Sequence, residues 1–199
     1  LAGFGGTVLF TQNMFLFNII RLGEDYILSG DMDRILLRPL NPLFQIYADD
    51  VHDNNLPKII ANIALITYAS LQIGLNLSLL KILYAAASMA SGILVIASIY
   101  LVFSTTAFWT GTSRSAVWLF FRVSNFRKYP FEIFAVAIQA ILVTLIPIAF
   151  ASYFPASFLL GKEGFETWKL ATPIVGPIFY VTAYSFWRYG LSKYSSTGS

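Results

Sequence analysis

LKILYAAASMASGILVIASIYLVFSTTAFW, residues Leu80 to Trp109, decides the fold class. After Lys81 the run holds no charged residue. It is longer than the roughly 20 residues a helix needs to cross a hydrocarbon core of about 30 Å. Ala85, Ala86, Ala87, Ser88, Ala90, Ser91 and Gly92 form a patch of small side chains within it, which lets a second helix approach closely in lipid. The run therefore reads as a membrane-spanning helix with a packing face.

The rest of the chain agrees. Of 199 residues, 57% are hydrophobic, 17% aromatic and only 12% charged, against about a quarter charged in an ordinary soluble domain. A globule of this length has too little interior to hide that much apolar surface, so the outside must be apolar too, which requires lipid around it. This excludes a nucleic-acid module, a disordered linker and most soluble enzymes, and a net charge of +3 is too small to call for a polyanion. No cysteine is present, which rules out disulfides and thiolate chemistry, and the single His52 rules out a multi-histidine metal site.

Five spans are expected: 1–20, 57–75, 80–109, 131–150 and 170–189. Asn55 and Pro57 suit the start of the second, as cap and early helical residue. Between them lie a long loop at 21–55 with seven of the ten acidic residues, a tight turn at 76–79, a basic connection at 111–130, a segment at 151–169, and a Ser-rich tail at 190–199. Grouping the 21–55 loop, the 111–130 connection and the tail on one side collects Arg21, Arg34, Arg38, Lys58, Arg114, Arg122, Arg127, Lys128, Arg188 and Lys193 there. Only Lys81, Lys162 and Lys169 remain on the other. The basic side is expected to be cytoplasmic. The visible N-terminus would then lie outside, and a sixth span is expected ahead of Leu1.

The most informative loop sequence is Gly30-Asp31-Met32-Asp33-Arg34-Ile35-Leu36-Leu37-Arg38-Pro39-Leu40-Asn41-Pro42-Leu43-Phe44-Gln45-Ile46. Gly30 breaks what precedes it, Asp31 can cap a short helix, and Pro39 forces Arg38 out of helix. Asn41-Pro42 then restarts a second helix as cap and first residue. The result is a rigid corner between two short helices, suited to transmitting force. An interfacial segment that merely joins two spans is the competing reading.

This string resembles a signature of the permease subunits of bacterial type-2 ABC exporters. The resemblance continues through Arg127-Lys128-Tyr129-Pro130-Phe131, through Ile146-Pro147-Ile148-Ala149-Phe150-Ala151-Ser152-Tyr153-Phe154-Pro155-Ala156, and through Leu159-Leu160-Gly161. It implies an all-helical polytopic protein with six spans in the full chain, in a bacterial plasma membrane. It further implies a second permease subunit, alike or unlike, and two separate ATPase subunits that hold the ATP and Mg²⁺. The coupling element of such permeases falls on Leu22–Leu43, with Asp31, Asp33, Arg34 and Arg38 as charged contacts and Pro39, Asn41 and Pro42 shaping the corner. Re-entrant helices at the outer face would fall on Pro155–Thr167.

Other signals are weaker. Gly161-Lys162 lacks the first glycine and the Ser/Thr of a phosphate loop, so any ATPase is another chain. His52 beside Asp49, Asp50 and Asp53 reads as a solvated acidic loop rather than a metal site. Asn62, Gln72 and Gln139, with Gln12 and Asn13, are polar residues inside spans, where lipid makes them expensive. They either line a translocation path or bond between helices, and for any single residue the second is favoured. Trp109, Trp118, Trp168, Trp187, Tyr129 and Tyr153 fit an interfacial belt. A membrane-embedded enzyme would need a nucleophile, an acid–base pair or a metal cluster near the interface. The only acidic cluster lies in the docking loop, and Glu132 is isolated. A non-transporting scaffold has no positive sign.

Overall fold

The computed structural model describes residues 1–76, 78–124, 129 and 131–196, and within them every regular element is a helix. Leu77 of the expected tight turn, Arg127, Lys128 and Pro130 of the basic connection, and the last three residues of the tail lie outside the described residues. The elements are α1 (Ala2–Phe15), α2 (Asp31–Leu36), α3 (Pro42–Ala48), α4 (Leu56–Gln72), α5 (Leu79–Thr105), α6 (Ala107–Thr110), α7 (Arg114–Ser124), α8 (Val136–Thr144), α9 (Tyr153–Leu159) and α10 (Glu166–Leu191). A 3₁₀ turn at Phe17–Arg21 and a π turn at Leu22–Ile27 prolong α1.

Helices α5 and α6 run on from each other over Leu79–Thr110, and this 32-residue piece is the one described helix long and apolar enough to cross a membrane by length and composition. Ser78 caps it, its hydroxyl accepting from the Lys81 N–H at 3.4 Å. Helix α1 has 14 residues and α4 has 17; α10 has 26 but carries Glu166, Lys169 and Arg188. Helix α4 ends at Gln72, short of the expected Leu75, because Gly74 takes a left-handed conformation (φ 64°) that closes it. Asn55 stands at the N-cap of α4 without capping it: its amide donates to the His52 carbonyl at 3.2 Å instead.

The core forms where α5 meets α1 and α10. The small-residue patch does what its composition implies. Gly92 faces Val8 of α1 and Ala151, and a Cβ there would stand 3.1 Å from the Ala151 Cα. Ser91 is buried against α10.

Helix α10 contains Pro173 and Pro177, each of which removes an internal hydrogen bond. Helix α5 sets two hydroxyls against this stretch, one of them on the carbonyl that Pro173 frees. The Lys169 carbonyl, four residues before Pro173, accepts from the Tyr84 hydroxyl at 2.6 Å. The Ser91 hydroxyl donates to the Thr172 carbonyl at 2.5 Å and accepts from the Gly176 N–H at 2.9 Å. Such repair by a neighbouring helix is what lets proline persist where no water is present.

The outer surface is apolar. Helix α4 buries none of its residues and exposes Ile60, Ile63, Leu65, Tyr68 and Leu71. One end of the bundle gathers the 21–55 loop, the start of α7 and the tail, through contacts such as Glu24 with Thr112 and Asp33 with Tyr194. The other end gathers Leu1, Leu75, Leu159 and Leu160 around one cavity of about 310 Å³.

The segment 131–150, expected as one span, is divided. A 3₁₀ turn at Phe131–Ile133, α8, and a 3₁₀ turn at Ile148–Ala151 follow one another, with Pro147 opening the last break. Phe131 packs on Tyr153, Phe154 and Phe165 with ring centroids 5.3–5.5 Å apart. Glu132 accepts from the Tyr153 hydroxyl and lies 3.6 Å from the Lys162 ammonium. The segment thus begins beside the 153–165 stretch, and the two form a hairpin. Pro147 favours the break by restricting Ile146 before it and donating no N–H, and α8 has already ended at Thr144.

Candidate functional site

Gly30 starts the corner. Its left-handed backbone (φ 78°) costs a glycine nothing, so Gly30 takes the capping position that Asp31 was expected to hold. Asp31 becomes the first helical residue, its N–H donating to the Ser29 hydroxyl at 3.2 Å and its carboxylate 3.3 Å from Arg34. Helix α2 stops at Leu36, ahead of the restricted residue Arg38. Asn41 then caps α3, accepting from the N–H groups of Leu43 at 2.9 Å and Phe44 at 3.3 Å, with Pro42 as first helical residue.

The corner has a buried back and an exposed front. Met32 and Ile46 are fully buried, and Ile35 and Leu43 nearly so. Gln45 clasps the two helices, its amide donating to the carbonyls of Ile35 and Leu40, both at 3.0 Å. On the front, Leu36, Leu37, Arg38, Pro39, Leu40 and Phe44 face outward, with Leu37 87% exposed. Five apolar side chains, Pro39 among them, and Arg38 thus project from a base held by burial and hydrogen bonds.

The last helix and the tail hold this base from behind. The Asn41 amide donates to the Tyr184 hydroxyl at 2.7 Å. Asp33, expected among the outward contacts, accepts from the Tyr194 hydroxyl at 3.0 Å and the Ser196 hydroxyl at 2.6 Å. Burial, then the Asp33 carboxylate beside it, pushes the Tyr194 phenol up to about 12. Sequence reasoning missed Gln45, Tyr184, Tyr194 and Ser196. Only the Tyr180–Tyr184 spacing, which puts two phenols on one helical face, offered a signal.

The neighbouring loop is tied down separately. Glu24 accepts from the Thr112 hydroxyl at 2.7 Å and lies 3.8 Å from Arg114, and Arg21 pairs with Asp25. Asp49 accepts from the Tyr26 hydroxyl at 2.8 Å, and burial followed by this bond raises the Tyr26 phenol well above its usual value. His52 lies 2.9 Å from the Asn18 side-chain oxygen and 3.6 Å from Asp50.

A family model described as ABC-2 family transporter protein matches residues 1–198. The chain belongs to the ABC-2 transporter family. No curated protein and no solved structure matches it. Membership makes this ABC-2 protein a membrane component of an ABC transporter, with a permease role and ABC ATPases as its general partners.

Within the ABC-2 protein Asn62, Gln72 and Gln139, expected inside spans, do not form one polar group. Asn62 donates to the Lys58 carbonyl at 2.7 Å within its own helix and lies over Gly6 of α1. Gln139 donates to the Phe134 carbonyl at 2.8 Å. Gln72 is exposed at the end of α4.

Proposed function

We propose that this ABC-2 protein is a transmembrane permease subunit of an ATP-driven exporter, multi-pass in a bacterial plasma membrane. A second permease subunit, the same or different, completes the translocation path with it. The 21–55 loop couples it to two separate ATPase subunits, which hold the ATP and Mg²⁺. The observation that carries this reading is the exposed tip Leu36–Leu40 on a base fixed by Gln45, Met32 and Ile46. A cluster of bare leucines around an arginine is unfavourable in water and favourable against an apolar groove with an acidic rim.

Leu37→Asp and Arg38→Glu test it directly. Both positions are exposed, so the protein should reach the membrane in parental amounts. The variants should lose the co-purifying ATPase, since stranding a charge at an interface costs about 2–5 kcal/mol. Parental assembly and ATP turnover in both variants would make the loop a linker and overturn the reading.

A further inference from the structure

Beyond Leu191 the chain turns back on α10, with N–H groups of Ser192, Lys193 and Tyr194 donating to the carbonyls of Arg188, Gly190 and Leu191. This lays the Tyr194 ring 6.0 Å from that of Phe108. From there two hydroxyls reach one carboxylate. Tyr194 fills Oδ1 of Asp33 and Ser196 fills Oδ2, across 161 and 163 residues of sequence. Arg34, next in the chain, takes no part and pairs with Asp31.

Helix α2 has six residues, too few to be stable on their own, so its orientation is set by what holds it. Met32 and Ile35 hold its apolar side. Nothing but the tail is hydrogen-bonded to the Asp33 carboxylate among the described residues.

We propose that residues 194–196 form a strap that fixes α2 to α10, making Tyr194 and Ser196 positioning residues of the docking corner. The proposal rests on reading that corner as the ATPase-docking surface. Tyr184 makes the second attachment, so α10 holds both halves of the corner: α2 through Tyr194 and the α3 cap through Tyr184. A shift of α10 is then carried to both sides of the tip. The strap does not cover the tip, because Leu37, Arg38 and Leu40 stay exposed with it in place. It orients the corner and does not block it.

Trypsin reads the strap without any ATPase present. Pro39 protects the bond after Arg38, which leaves Arg34–Ile35 as the susceptible bond in the corner. Ile35 is buried, so cleavage there requires α2 to open. In the full chain in lipid nanodiscs, combined Tyr194→Phe and Ser196→Ala should speed cleavage after Arg34 about tenfold relative to cleavage after Arg114, as expected for losing hydrogen bonds to a charged acceptor. Asp33→Asn should give a similar rise, and adding it to the double variant should add little, because all three changes break one contact. Parental cleavage in the double variant, or a full additive rise, would overturn the strap. Docking is read separately by ATPase co-purification in Leu37→Asp, so either idea can fail while the other stands.

Discussion

Gly6 and Gly176 look equivalent in the sequence, each a small residue in an apolar helix, yet a methyl group meets different things at each. At Gly176 it would overlap the main-chain carbonyl of Ser91, which cannot move without shifting α5. At Gly6 it would meet the amide end of the Asn62 side chain, which can rotate away. Gly176→Ala should therefore cost about 1–3 kcal/mol as overpacking, and Gly6→Ala much less. Thermal denaturation of the two detergent-solubilised variants compares them, and an equal loss in both would contradict the geometry. A second expectation concerns Tyr194. Its phenol is raised, so its contribution is complete below the ordinary value near 10 and is lost as pH climbs toward about 12. Trypsin cleavage after Arg34, measured against Arg114, should stay flat from pH 7 to about 9.5 and climb above that. In Tyr194→Phe the climb should be absent. None of this was legible from residue identity alone, because Ser91 reads like Ser88 or Ser98 until the helix across from it is placed.

Among the elements, the corner was the most legible, because its signals are local. Pro39 ends α2, and Asn41-Pro42 starts α3, each through contacts within four residues. The clasp was not legible, because Gln45 bonds Ile35 ten residues back and no spacing rule marks such a pair. Gln45→Leu should free the carbonyls of Ile35 and Leu40 and loosen the angle between α2 and α3, at about 0.5–1.5 kcal/mol per lost bond. Since Gln45 is behind the tip, the ATPase should still assemble while ATP turnover per assembled complex falls. A variant that loses assembly and turnover in the same proportion would place Gln45 in the docking contact itself. Pro39→Ala, which softens the corner without touching a charge, should give the same pattern more weakly. Helix α10 shows the opposite case. It was expected as one span with Pro173 and Pro177 inside, and it does run for 26 residues, but that Tyr84 of α5 takes the Lys169 carbonyl freed by Pro173 was not readable from spacing.

For the molecule as a whole, composition made the apolar exterior legible, and of the parts that lysine and arginine placement assigned to one side, the 21–55 loop, the start of α7 and the tail meet at one end. The hairpin at 131–159 was hidden because α8 and its flanks are as apolar as a crossing helix, and only the partners of Phe131 and Glu132 reveal where the segment starts. With no native cysteine, single-cysteine labelling separates the two arrangements cleanly. A cysteine at Glu132 should react from the same side as one at Lys162, and from the opposite side to one at Arg38. Reaction of the Glu132 cysteine from the Arg38 side would restore a single crossing over 131–150. The repair of α10 by α5 also has a consequence for biosynthesis. Ser91 leaves the ribosome 85 residues before Gly176, so α5 must wait in the bilayer with its Tyr84 and Ser91 hydroxyls ready for a helix not yet made. Until α10 docks, the Lys169 carbonyl that Pro173 frees lacks its α5 partner, so the order in which the two helices are made favours α5 as the template on which α10 settles.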